Sequence, residues 1–116
     1  MSEPNCLFCK IIGGEIQGDV VYSDNACIVL RDINPQAPLH ILVVPREHLD
    51  SLDDASQKDE PLLGHLLRVG ARVANQEGYD EDGFRTVINT GAGAGQTVFH
   101  LHVHVLAGRQ LNWPPG

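Results

Sequence analysis

Apolar residues recur along this chain at two periods, near 3.6 and near 2, and the change from one to the other marks its elements. Leu7, Phe8, Ile11 and Ile12 fall at helical spacing and predict a short helical turn over 5–12, closed by Gly13-Gly14. Val20–Tyr22 and Cys27–Arg31 flank Asp24-Asn25 and read as a β-hairpin. Pro35 and Pro38 keep 32–38 out of regular structure, because proline fixes φ and removes a donor. A third strand follows from Leu39 or His40 to Val44 and stops at Pro45. The stretch 49–58 is polar and acidic, with Asp50, Ser51 or Asp53 available to cap a helical piece. The strongest helical signal runs over 59–76, with Pro61 in its first turn and an apolar stripe of Leu62, Leu63, Leu66, Leu67, Val69, Val73 and Ala74. Gly78 is its expected stop. Phe84–Asn89 and Val98–Leu106 read as the fourth and fifth strands. This order, β-β-β-α-β-β after a short helical start, predicts an α+β fold. It has a five-stranded antiparallel sheet, one long helix and a short N-terminal helix, with the helices on one face.

The fifth of these strands stands out. His100, His102 and His104 alternate with Leu101, Val103 and Val105, so a regular strand would line all three imidazoles along one face. Half of the chain's six histidines lie within five residues, which a structural strand does not require. In such a strand His100 and His104 stand roughly 13 Å apart, too far to ligate one ion, so the row is expected to divide its labour.

Composition narrows the setting. A length of 116 residues suits one domain spanning 1–116, with a core of its own. No apolar run approaches the ~18–20 residues of a membrane span, and the start, MSEPNCLFCK, lacks the pattern of a secretory signal. The expectation is a cytoplasmic protein that spans no membrane. A net charge of −7 argues against a grip on duplex nucleic acid, which needs a basic face. It leaves room for a small phosphorylated ligand held by local donors. Of three cysteines, Cys6 and Cys9 form a C-x2-C pair, and Cys27 reads as a buried apolar residue.

Those two thiols could supply half of a tetrahedral zinc site, with His40, His48, His65 and the histidine row as candidates for the rest. Spacing alone does not select among them, and two unligated thiols in a reducing compartment are the alternative. Beside the row, Thr90-GAGAG-Gln96-Thr97 resembles a dinucleotide fingerprint only superficially, because it joins two strands and opens no helix. Its backbone N–H groups can approach an anion closely. Asn89, Gln96 and Thr97 bracket this loop, and amide, hydroxyl and backbone donors converging beside imidazoles suit a phosphoryl group. A histidine can be the nucleophile at phosphorus. Taken singly, Asn89 and Thr97 could equally serve as turn residues.

The combination of motifs is that of a known family. His100-Leu101-His102-Val103-His104-Val105-Leu106 resembles the His-φ-His-φ-His-φ-φ signature of the histidine-triad (HIT) superfamily. Asp32-Ile33-Asn34-Pro35-Gln36-Ala37-Pro38-Leu39-His40, Val44-Pro45-Arg46-Glu47-His48 and Gly95-Gln96-Thr97-Val98-Phe99-His100 resemble the Hint branch, as does the ending Gly108-Arg109-Gln110-Leu111-Asn112-Trp113-Pro114-Pro115-Gly116. The resemblance covers essentially the whole chain.

It implies a HIT-like fold and hydrolysis of purine nucleoside 5′-phosphoramidates to a nucleotide and an amine. His102 matches the nucleophile, which forms a nucleotidyl-histidine intermediate, its other nitrogen donating to a backbone carbonyl on the same strand. His104 matches the residue at the phosphate and leaving group, and His40 the fourth histidine of the site, which assists proton transfer. Asn89, Gly95, Gln96 and Thr97 fall where the family binds phosphate, Thr97 standing where serine is common. Asp32 matches the carboxylate that holds both ribose hydroxyls. Leu7, Phe8, Ile11, Leu30, Ile33 and Leu42 match the walls of the base pocket, though each is also an ordinary core residue by type. Cys6, Cys9, His48 and His100 match a structural zinc site found in some members and not required for the reaction. The resemblance further implies a twofold homodimer in which Trp113 reaches toward the partner's leaving-group side. The other readings are a diadenosine polyphosphate hydrolase of the Fhit branch and a nucleotide-binding module with incidental turnover.

Overall fold

In the computed structural model, which describes residues 3–116, the chain runs α1 (Leu7–Ile12), β1 (Val20–Ser23), β2 (Cys27–Arg31) and β3 (Leu39–Pro45). It continues through two single 3-10 turns (Leu52–Asp54 and Gln57–Asp59), α2 (Glu60–Gln76), β4 (Arg85–Val87), a third 3-10 turn (Ala92–Ala94) and β5 (Val103–Ala107). The five strands form one antiparallel sheet in the order β1-β2-β3-β5-β4. Its first turn is built by Asp24, whose Oδ1 accepts from the backbone N–H groups of Ala26 and Cys27, both at 2.8 Å.

The two helices lie on opposite faces of the sheet, not on one. Side chains alternate along β2 and β3 and are apolar on both sides. Cys27, Val29, Ile41 and Val43 face α2 and pack with Leu66, Val69, Val73, Val103 and Val105. Ile28, Leu30, Leu42 and Val44 face the other way and pack with Cys6, Phe8 and Cys9 around α1. Strands apolar on both faces can be covered on both, which a single-faced reading of the helices overlooks.

α2 starts one residue later than the spacing predicts, at Glu60. A capping box between Ser56 and Asp59 precedes it, and Pro61 sits in its first turn. Its buried stripe is narrower than expected: Leu66, Val69, Val73 and Ala74 are buried while Leu67 is exposed. Gly70 lets the helix approach β5, since a Cβ there would lie 2.9 Å from Val105 Cγ2. In 49–58 the capping residue is Ser51, whose Oγ accepts from Asp53 N at 3.2 Å.

Two strands are shorter than the hydrophobic pattern predicts. β4 covers Arg85–Val87 and not 84–89, and β5 begins at Val103 and not at Val98. Leu101 N donates to Leu49 O at 2.7 Å, tying this stretch to the segment after β3. His100 and His102 therefore sit in an irregular approach to β5, and only His104 is in the strand. From there the register takes over. His104 pairs with Leu42, so both side chains point to the α1 face, as does His40 two residues earlier on β3.

Candidate functional site

The irregular approach lets the three histidines do different things. His100 is fully buried and turns toward the N-terminal cysteines. The ligand atoms of Cys6, Cys9, His48 and His100 all lie within 4.8 Å of one another. Cys6 Sγ stands 3.3 Å and Cys9 Sγ 3.5 Å from His100 Nδ1, and Cys9 Sγ is 3.3 Å from His48 Nδ1. A tetrahedral zinc with ordinary Zn–S and Zn–N bonds puts sulfur and nitrogen about 3.5 Å apart, so the four donors have room for one ion. The far nitrogens are engaged too: His48 Nε2 meets Asp50 Oδ1 at 2.7 Å and His100 Nε2 meets Pro45 O at 2.8 Å. With a proton on each of those, both Nδ1 lone pairs face the thiols, the arrangement expected around a metal. Burial pushes the Cys6 thiol up, an effect that a dication on the sulfur would oppose. The other candidate ligands go elsewhere. His65 meets Asp24 Oδ2 at 2.7 Å, and His40 Nε2 lies 3.0 Å from His104 Nδ1. Cys27 is fully buried in the core, its thiol pushed up to about 12 by desolvation first and by Asp24 second.

His102 points away from that cluster. Its Nδ1 lies 2.7 Å from the backbone oxygen of His100, a group that can only accept, so Nδ1 carries the proton and Nε2 keeps its lone pair. Phe8 packs edge-on against the ring, with centroids 5.1 Å apart. Burial lowers the His102 pKa and favours the neutral, nucleophilic form. His104 follows, its ring centroid 5.0 Å from that of His102. Its Nδ1 lies 3.0 Å from His40 Nε2, and burial, aided by His102 and His40, lowers its pKa to about 4. His40 is itself buried, with its pKa lowered by desolvation, and Asp32 Oδ2 stands 3.4 Å from its Nε2.

The His102 and His104 rings line a cleft of about 430 Å³, within the size range of small-molecule sites, while His40 stands behind His104 and does not line it. Leu7, Phe8, Ile11, Leu30, Ile33 and Leu42 form its apolar walls, Asp32 lies along one side, and Asn89, Gly95 and Thr97 stand near the imidazoles. Every residue that the sequence assigns to the nucleoside pocket lines this cleft except Gln96. The Gln96 side chain is 3% exposed and points inward: Oε1 accepts from Gly91 N at 2.8 Å, and Nε2 donates to Asp50 O at 2.7 Å and Val98 O at 3.1 Å. It braces the glycine loop from behind, while Gly95 and Thr97 on either side of it line the cleft. Gly95 takes φ +97°, where side chains are strained, and lies against Asn89. Trp113 is 81% exposed and does not line the cleft.

Residues the sequence does not single out complete the walls: Ile16, Gln17, Gly18, Asp19, Arg31 and Val98. Gly18 was the readable signal among them. A Cβ there would lie 3.0 Å from Ile11 Cγ2 and 3.1 Å from Leu30 Cδ2, so the chain after α1 folds close against the pocket.

Comparison with known proteins places this arrangement. The chain matches the HIT domain over residues 13–111. It is 52% identical over 112 residues to the 14 kDa zinc-binding protein of Zea mays, covering 95% of this chain and 87% of that one. It superposes on a HIT family hydrolase from Legionella pneumophila Philadelphia 1 with a TM-score of 0.94 and 46% identity, over 97% of this chain and 100% of that one. The histidine triad nucleotide-binding protein from Candida albicans matches with a TM-score of 0.81 and 29% identity, over 95% and 83% of the two chains. The chain belongs to the HIT domain family.

Proposed function

We propose that this protein is a nucleotidyl hydrolase that cleaves the P–N bond of purine nucleoside 5′-phosphoramidates through His102. The observation that carries the reading is the pair of adjacent imidazoles at the end of the cleft, with His102 Nδ1 anchored on a carbonyl so that Nε2 is free to attack. The names of its HIT relatives, a hydrolase and a nucleotide-binding protein, support the same class. In the first step His102 Nε2 forms a bond to the α-phosphorus as the P–N bond breaks, and the amine departs with a proton supplied from the His104 end. In the second, water attacks the phosphorus, its proton passes to the His104 end to replace the one given to the amine, and the P–Nε2 bond breaks to release the nucleoside monophosphate and neutral His102. Asn89, Thr97 and the backbone at Gly95 stabilise charge on the non-bridging oxygens. Asp32 receives the ribose hydroxyls, and the apolar walls from Leu7 to Leu42 receive the purine.

Cys6, Cys9, His48 and His100 would hold one structural zinc, whose chemistry is to pin α1 beside the catalytic approach. The maize relative's name supports that assignment. We place the active form as a homodimer in the cytoplasm, with Trp113 near the partner's site. Three free thiols suit a reducing compartment. No helix among the described residues is long and apolar enough to cross a membrane.

Converting His102 to alanine should remove turnover of an adenosine phosphoramidate, by at least a thousandfold on the scale of lost nucleophiles, while AMP still binds. Retained turnover in that variant would sink the mechanism. Offering diadenosine polyphosphate beside the phosphoramidate tests the substrate class, and a preference for the polyphosphate would replace the P–N reading. Light scattering of the purified chain decides the dimer.

A further inference from the structure

Resting on the reading that His104 supplies the leaving-group proton, the remaining question is what makes His104 a donor and His102 an acceptor. The two imidazoles are close neighbours, their ring centroids 5.0 Å apart, and in its neutral form each has one proton to place. His102 is fixed by the His100 carbonyl. His104 meets no such acceptor: its Nδ1 faces another imidazole nitrogen, His40 Nε2, at 3.0 Å. Either nitrogen of that pair could hold the proton unless something sets His40.

The backbone N–H of Gln36 does so. It donates to His40 Nδ1 at 3.0 Å, so Nδ1 must present a lone pair, and the one proton of a neutral His40 has to sit on Nε2. Asp32 Oδ2, 3.4 Å from that same Nε2, favours a proton there as well. His40 Nε2–H then donates to His104 Nδ1, which leaves the His104 proton on Nε2, on a ring that lines the cleft. We propose that the Gln36 backbone N–H is a tautomer lock: acting through His40, it sets His104 as a proton donor beside His102, set as an acceptor.

The lock is held rigidly for a loop. Gln36 Nε2 donates to Asn34 O at 3.0 Å, Gln36 O accepts from Arg109 Nε at 2.8 Å, and Asn34 N donates to Asp32 Oδ1 at 2.8 Å. Pro35 and Pro38 stiffen the chain on either side. The same N–H disfavours zinc or another divalent cation across Asp32, His40 and His104, although their ligand atoms lie within 4.8 Å. A metal on His40 Nε2 would move the proton to Nδ1, directly against the Gln36 N–H. Gln36 is thus a positioning residue that acts by its main chain.

The test is spectroscopic and needs no substrate. In a long-range proton–nitrogen spectrum of the full-length, 15N-labelled protein, His40 and His104 should show lone-pair-type Nδ1 and protonated Nε2. His102 should show the reverse. A His40 with its proton on Nδ1 overturns the lock, whatever the protein hydrolyses. Gln36→Pro deletes the N–H, and should move the His40 nitrogens toward a mixture of tautomers. It should also lower kcat on the order of tenfold or more, with KM little changed. Gln36→Ala keeps the N–H and should keep the wild-type nitrogen pattern. A Gln36→Pro protein that folds with His40 unaltered and kcat unaltered also overturns the proposal. Should that variant fail to fold, the wild-type spectrum still decides. The expected tautomers in a protein that does not cleave phosphoramidates would retire the substrate reading and leave the lock standing.

Discussion

Single residues here act through which of their atoms is already engaged. His104 illustrates the electrostatic side of this. Its pKa is lowered to about 4 by desolvation first and by neighbouring imidazoles second, and that of His40 is lowered by desolvation. An unfolded chain would protonate both near the ordinary value of about 6.5, so between about pH 6.5 and 4 the unfolded state binds more protons than the folded one. Stability should therefore fall as pH falls through that window, and should not change on this account above it. Urea unfolding at a series of pH values checks the slope, and His104→Asn should flatten it. A variant with the wild-type slope would show that His104 is not the half-buried neutral group described. At this scale the sequence was informative about residue type: the spacing of Cys6, Cys9 and the three histidines and the carboxylate at Asp32 all pointed to chemistry. The backbone carbonyl on His102 was expected only through the family resemblance, and the Gln36 N–H on His40 was not legible at all, since any residue but proline carries the same main-chain groups.

Among the elements, hydrophobic period served well where one face is buried and poorly where two are. α2 was readable almost to the residue because its stripe has a polar side to contrast with. β2 and β3 carry apolar side chains on both faces, so nothing in their pattern says that α1 takes one face and α2 the other. The start of β5 was misplaced for a related reason. Alternation through His100-Leu101-His102 looks like a strand, but Leu101 pairs with Leu49 and the ladder begins only at Val103. The contact between α2 and β5 is where packing is tightest. Gly70→Ala would place a methyl 2.9 Å from the fully buried Val105. Overpacking of this kind costs roughly 1–3 kcal/mol, while alanine regains about 1 kcal/mol of helix propensity over glycine. The net expectation is a loss of about 1 kcal/mol in a denaturant titration, with activity retained below the transition. A gain in stability would mean that the helix can move off the sheet at little cost.

For the whole molecule, the sheet separates two packing regions of unequal self-sufficiency. The α2 side carries the larger core, while the α1 side rests on a short helix whose N-cap is Cys6 and whose second cysteine, Cys9, lies within it. If one zinc joins Cys6 and Cys9 to His48 and His100, removing it should loosen the α1 side before the other. A strong chelator, or Cys9→Ser, should lower the thermal midpoint and speed hydrogen exchange in α1 well before it does so in α2. Equal loss on both faces, or no loss, would count against the structural role. Metal analysis of protein purified without chelator gives the stoichiometry directly, and one zinc per chain is expected. His100 stands between the two thiols and His102, and it takes part in two clusters by two different parts of itself. Its imidazole faces the thiols, while its carbonyl accepts from His102 Nδ1. A deep mutational survey perturbs the first directly and leaves the second in place, since every replacement brings its own carbonyl. Tolerance at position 100 would thus measure how far the cleft's imidazoles depend on the cluster of Cys6, Cys9 and His48. It would say little about the hydrogen bond that aims His102, which only a change to the backbone itself can remove.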